Sequence, residues 1–351
     1  MHTNGSAHNF LNWFAFHNPA VDIFFCLSSF TLCLVYGAGT GRRLHFRPFA
    51  VARFARIYPL YAIVFAVSAT YSAVLGLNFF KAYSWPELIA DGVRQALMVN
   101  AWPVIGSGAH WIDPMWSLSV EAFCYALVFP VLFGLSGWGR KLPWPILVAG
   151  VIVCSIVTLG FYILFYHPEI NAHRVPPATG FLVRWVAPVR GTCMFGAGWL
   201  AYLLYLEHPT VRDIVTKWAG GIAVVMILIV AGPAAGIGNA ELLVLLTPFL
   251  ILGLMDPRSL TARLLAGEPL HFLGLISYSL YLLHWPVMIF AMHFLRGSGL
   301  YYTAQVAVSV GFAISAAVIS YFFIERPARG WIRLVLMPKP VQVFHAKGDN
   351  A

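Results

Sequence analysis

Long apolar runs, each closed by a short polar segment, follow one another along most of this chain. They fall at 19–37, 54–77, 115–136, 145–166, 191–207, 218–236, 241–256, 270–294 and 301–324. A helix needs about 20 apolar residues to cross a bilayer, so the pattern predicts an all-α, polytopic membrane helix bundle with nine spans. Several runs open with helix-start signals, a capping side chain followed by proline: Asn18 before Pro19, and Asp113 before Pro114. One segment breaks the pattern. Residues 85–99 (WPELIADGVRQALMV) are too short and too charged to span, and predict an amphipathic helix on the membrane surface.

Composition agrees with this class. The chain has 351 residues, of which 60% are hydrophobic and only 10% charged, against about 25% charged in a soluble domain. Residues 1–336 read as a single transmembrane domain and 337–351 as a tail. A net charge of +9 would point to nucleic acid in a soluble protein; here its placement excludes that partner. If the loop at 38–53 is cytoplasmic, only Lys81, Arg94, Arg174, Arg184, Arg190 and Arg296 of the 22 Lys and Arg fall outside. The remaining 16 fall inside, as the positive-inside rule requires, and the C-terminus is then cytoplasmic. Cys26, Cys33, Cys124, Cys154 and Cys193 are odd in number and form no C-x-x-C, so neither a disulfide framework nor a zinc site is expected. The opening MHTNGSAHNF lacks a basic n-region, so no cleavable signal peptide is expected.

Polar chemistry inside apolar sequence marks the candidate site. The basic segment RRLHFRPFAVARFARIYP (42–59) separates two spans. Positive-inside anchoring accounts for Arg42, Arg43 and Arg47. Arg53 and Arg56 lie within the start of the apolar run, where a cation is costly without a partner. Three residues apart, they share a helix face and are either anchors or an anion-binding pair. In NPAVDIFFCLSSF, Asp22 is an acid in the first turn, either a dipole-stabilised helix end or a functional group. In DPMWSLSVEAF, Ser117 and Glu121 are i,i+4 on one face. Glu121 lies about two turns into the span, where a carboxylate needs a partner, a water cavity or a proton. Ser277, Tyr281 and His284 fall at i, i+4 and i+7, one polar stripe on an apolar helix beside Pro286. The last span ends in FIERPARGW, which reads as a cytoplasmic stop with an interfacial Trp331. The glycine-rich GAGTG at 37–41 follows a membrane helix, not a strand, and is not a nucleotide loop.

Five of these stretches, in this order, resemble the acyltransferase 3 family of polytopic membrane acyltransferases. They are VDIFFCLSSF (21–30), RFARIYP (53–59), WSLSVE (116–121), ISYSLYLLHWP (276–286) and ERP (325–327). Ser29 stands where the family usually has Gly, Ala122 where a second acid is frequent, and Leu283 where Trp is common. The resemblance implies O-acyl transfer, acetyl transfer foremost, at a bacterial inner membrane. The donor would be acyl-CoA, acting as a substrate and not as a permanently bound cofactor. The acceptor would be a hydroxyl of a cell-surface glycan, an exopolysaccharide or a lipid-linked sugar. It implies that Arg53 and Arg56 engage the phosphates of CoA, and that Glu121 is the family's buried acid. A transporter or flippase for a lipid-linked sugar would also need buried Glu, His and Arg; the absence of an internal repeat counts against it. An inactive relative acting in polysaccharide assembly is the third reading.

The family also has a further helix at its start, ending near a His that serves as base. His2, nineteen residues before Val21, stands at a compatible spacing. The sequence therefore reads as starting inside a longer protein with ten spans, and His2 joins Glu121 and Asp22 as a candidate catalytic residue. His8 and His17 are the alternatives, His17 directly preceding the Asn18 cap. Ser117, Ser277, Tyr281 and His284 are expected to line the substrate cavity, and no metal is expected.

Overall fold

The computed structural model describes residues 19–74, 84–106, 114–166, 185–231, 240–257, 259–295 and 299–337. Among them every regular element is helical. In chain order they are α1 (Pro19–Tyr36), α2 (Phe46–Val74), α3 (Trp85–Ala96), α4 (Met115–Gly139) and α5 (Trp144–Tyr166). There follow α6 (Ala187–Glu207), α7 (Pro209–Ala231), α8 (Ala240–Gly253, opening with a 3-10 turn), α9 (Leu260–Leu265), α10 (Glu268–Leu295), α11 (Tyr302–Ser320) and α12 (Arg326–Leu336). Among the described residues seven helices are long and apolar enough to cross a membrane, α11 and α12 counting as one continuous element.

The other two expected spans do form helices, with a difference in kind. α8 has 11 α-helical residues after its 3-10 turn, short of the ~20 a crossing requires. α6 is long enough but less apolar, because it is the centre of the bundle. It packs on α1, α5 and α8, and Arg190, Gly191, Phe195, Gly198, Trp199 and Tyr202 on it are all buried. Polar and small residues belong on a helix enclosed by other helices, not on one that faces lipid. α7 shows the opposite case, with Ile227 and Leu228 about two-thirds exposed.

α1 lies close against α6 because Gly198 has no side chain. A Cβ there would stand 2.1 Å from the Cys26 carbonyl oxygen, a backbone atom that cannot swing aside. Gly198→Ala should therefore cost about 1–3 kcal/mol or more through a forced backbone shift. The yield of monodisperse protein in detergent should fall accordingly; a wild-type elution profile and melting temperature would contradict this contact.

Arg140 ties helix ends together at the end of the bundle that carries the basic loop. Its Nε meets Glu207 Oε1 at 2.5 Å, and its Nη1 donates to the Gly39 carbonyl. Gly39 holds φ +75°, within the turn that closes α1, so the glycine-rich stretch is a helix-terminating turn. We call this end the basic end. The segment expected at 85–99 forms the helix α3, which docks on α2. Tyr61 donates to the Gln95 carbonyl at 2.8 Å and Tyr58 to that of Ala96 at 3.1 Å. Wide π turns occur at Cys124–Val128 in α4 and at Tyr321–Glu325 between α11 and α12. Each precedes a proline, Pro130 or Pro327. A proline lacks the N–H that would continue the ladder, and an extra residue in the turn absorbs the mismatch.

Candidate active site

α1, α2, α4 and α10 enclose a cavity of about 410 Å³. Each helix contributes one face. α1 presents positions from Val21 to Thr31, which at 1.5 Å per residue is a wall about 15 Å long. Arg53 and Arg56 of α2 and Gly274 of α10 lie toward the basic end. Ser117 of α4 and Tyr281 of α10 lie toward the opposite end, with Glu121 between.

At mid-depth the Glu121 carboxylate accepts a hydrogen bond from Ser28 Oγ at 3.2 Å and a short one from the Tyr125 hydroxyl. Arg53 stands over the Tyr125 ring, 5.9 Å from its centroid, so Tyr125 bridges the acid and the nearest cation. Among the described residues neither Arg53 nor Arg56 makes an ion pair, and Arg53 Nε is buried without a hydrogen-bond partner. Toward the opposite end, Ser117 Oγ and the Tyr281 hydroxyl share a hydrogen bond of 2.5 Å, and both also reach the Pro114 carbonyl.

The structure thus brings together Arg53, Arg56, Ser117, Glu121, Ser277 and Tyr281. It does not bring in the rest. His284 continues the stripe along α10 but is not part of the cavity wall; its ring centroid lies 5.7 Å from that of Tyr281. Asp22 points from α1 toward α5 and α6, away from the cavity. It is fully buried, ion-paired with Arg190 Nη2 at 2.8 Å and hydrogen-bonded by the Tyr162 hydroxyl. The Arg190 guanidinium also lies over the Tyr162 and Trp116 rings, at 4.4 and 5.7 Å. His2, His8 and His17 lie outside the described residues.

Several contributors were not singled out from sequence. Ser28 and Tyr125 had a usable signal, since Tyr125 is four residues after Glu121 on the same helix face. Arg190 reads as an outer-loop charge just before a span; in the structure it is inside α6 and buried. Glu325 of the ERP stretch reads as part of a stop signal. It is 2% exposed and accepts hydrogen bonds from Ser279 Oγ (2.7 Å) and Arg329 Nη2.

A family model for an acyltransferase domain matches residues 2–325. O-acetyltransferase OatA of Staphylococcus aureus (strain MRSA252) is 27% identical over 347 residues, 92% of this chain and 55% of that protein. Peptidoglycan O-acetyltransferase OatA of Listeria monocytogenes serovar 1/2a (strain ATCC BAA-679 / EGD-e) is 24% identical over 328 residues, 88% of this chain and 51% of that protein. The chain spans about half the length of these curated relatives. No solved structure matches it. With the family model laid over nearly all of an all-helical integral membrane bundle, this chain belongs to the acyltransferase 3 family.

Proposed function

We propose that this protein transfers an acetyl group from acetyl-CoA to a hydroxyl of a cell-envelope glycan. The observation that carries the reading is one elongated cavity with a cationic end, a carboxylate at mid-depth and hydroxyl side chains beyond it. Guanidinium groups suit phosphate oxygens through paired N–H donors, which supports phosphate binding by Arg53 and Arg56. The basic end carries most of the loop arginines and, by the positive-inside rule, faces the cytoplasm, where acyl-CoA is available. The pantetheine arm is an extended chain, which suits a cavity longer than it is wide. The relatives named for peptidoglycan O-acetylation support a glycan acceptor.

In the transfer, the acceptor oxygen attacks the thioester carbonyl and loses its proton to a general base. The C–S bond then breaks and the thiolate of CoA leaves. His2 is the base we assign by family resemblance. Glu121, held by Ser28 and Tyr125, is the carboxylate of the cavity and the second residue we assign to the chemistry.

The test uses membranes holding the full chain, acetyl-labelled CoA and peptidoglycan or other envelope glycan fragments. Label should move to the glycan. Arg53→Ala and Arg56→Ala should each raise the KM for acetyl-CoA by about tenfold or more, the loss expected for a charge-assisted contact of 1.5–3 kcal/mol, while the protein stays in the membrane. An unchanged KM in both variants would remove these arginines from the donor site. Glycan crossing the membrane without label transfer would replace the enzyme reading with a transporter.

A further inference from the structure

The last described helix, α12, sets a row of arginines beside the basic end of the bundle. On α12, Arg326, Arg329 and Arg333 share a face at i, i+3 and i+7. α12 packs along α2. The side chains it leaves outward include the apolar ones, with Trp331 68% and Leu334 82% exposed. Arg333 stands within electrostatic reach of Arg329, Arg53 and Arg56.

Arg53 and Arg56 line the basic end of the cavity, and the packing of α12 on α2 sets Arg329 and Arg333 on the helix beside them. Glu325 is the carboxylate paired there, through Arg329, which leaves a cationic excess. Arg53 Nε and Arg329 Nε are both buried without a hydrogen-bond partner, so donors are left over after the internal contacts are made. Like charges held close together repel, and the ligand that offsets this is a polyanion whose phosphates reach more than one guanidinium.

We propose that Arg329 and Arg333 of α12 join Arg53 and Arg56 of α2 in one polyphosphate-binding site, so that the last helix forms a wall of the donor mouth. This rests on the acyl-CoA reading above and extends it to residues beyond the R-x-x-R pair. The same phosphate chemistry could come from the diphosphate and 3′-phosphate of CoA or from anionic lipid headgroups. We assign it to CoA, because Arg53 and Arg56 line the cavity into which an acyl-bearing arm must pass.

The test uses the purified full chain in nanodiscs of phosphatidylcholine alone and of equal parts phosphatidylcholine and phosphatidylglycerol. Calorimetry gives the Kd for CoA, and native mass spectrometry counts retained phosphatidylglycerol. Arg333 is exposed and its variants break no hydrogen bond described above, so Arg333→Gln and Arg333→Glu are the primary changes. Lys217→Gln on α7, an exposed position of equal charge, is the control. Arg333→Gln should weaken CoA binding about tenfold in both lipid mixtures, and Arg333→Glu should weaken it further. Lys217→Gln should leave the Kd unchanged. Arg329→Lys, which keeps the charge near Glu325 but loses the planar fork, should also weaken binding. If the wild type binds CoA and both Arg333 variants bind it equally well, the α12 assignment is overturned while the donor reading stands. If Arg333 variants lose phosphatidylglycerol but keep CoA affinity, the site belongs to lipid and the assignment to CoA is overturned. If the wild type binds no CoA in either mixture, the donor reading fails and takes this inference with it.

Discussion

Glu121→Gln is expected to lower acetyl transfer by about 100-fold or more, within the range a positioned acid or base contributes, with little loss of folded protein. The reason lies in what the substitution keeps. The amide oxygen of glutamine can still accept from Ser28 or Tyr125, the two donors that hold the carboxylate. What disappears is the negative charge between the arginine end of the cavity and its hydroxyl-lined end. Initial rates at saturating acetyl-CoA, normalised to folded protein, measure this, and the loss should fall mainly in kcat. Tyr125→Phe removes one donor and keeps the charge, so it should cost about tenfold at most. A Gln variant with the wild-type rate would mean that Glu121 is structural or works in its protonated form.

The second large effect concerns stability. Asp22 and Arg190 are 0% and 3% exposed in their side chains and 2.8 Å apart. Removing either partner leaves the other charged and buried, which costs about 3–5 kcal/mol. Asp22→Ala and Arg190→Ala should each sharply reduce the melting temperature and the yield of monodisperse protein. The double variant Asp22→Leu, Arg190→Leu should be less damaged than the two single losses added together, because no orphaned charge remains. Strict additivity would show that the pair is not coupled. Transfer per folded molecule is the separate readout for the catalytic role expected of Asp22. A variant that folds poorly yet turns over normally places this carboxylate in the scaffold, and one that folds but does not transfer places it in the chemistry.

Residues named from sequence and brought together by the fold share one property: their signal is local. Arg53 and Arg56 are conspicuous because a cation inside an apolar run is costly wherever it points. Glu121 and Ser117 share a face because a helix repeats every 3.6 residues. Helical periodicity fixes which side chains stand together on one element, and Ser277 and Tyr281 of α10 both line the cavity. It does not fix how far along the helix the neighbouring elements remain in contact, and so His284 was expected in the cavity although the wall ends before it.

What the sequence determined by itself is the all-helical membrane class, the main apolar helices, the short amphipathic helix near 85–99 and the basic end of the bundle. Each follows from the cost of moving a residue from water to lipid, which depends on that residue and its near neighbours alone. Tertiary structure alone decided that α6 is the enclosed centre of the bundle. It also decided which buried polar groups pair with one another. Asp22 meets Arg190 across 168 positions, and Ser279 meets Glu325 across 46. Such pairings depend on which helix faces are pressed together, and burial without water makes the choice of partner energetically decisive. A polar residue's cost is written in its own span; its partner is chosen only when the helices pack.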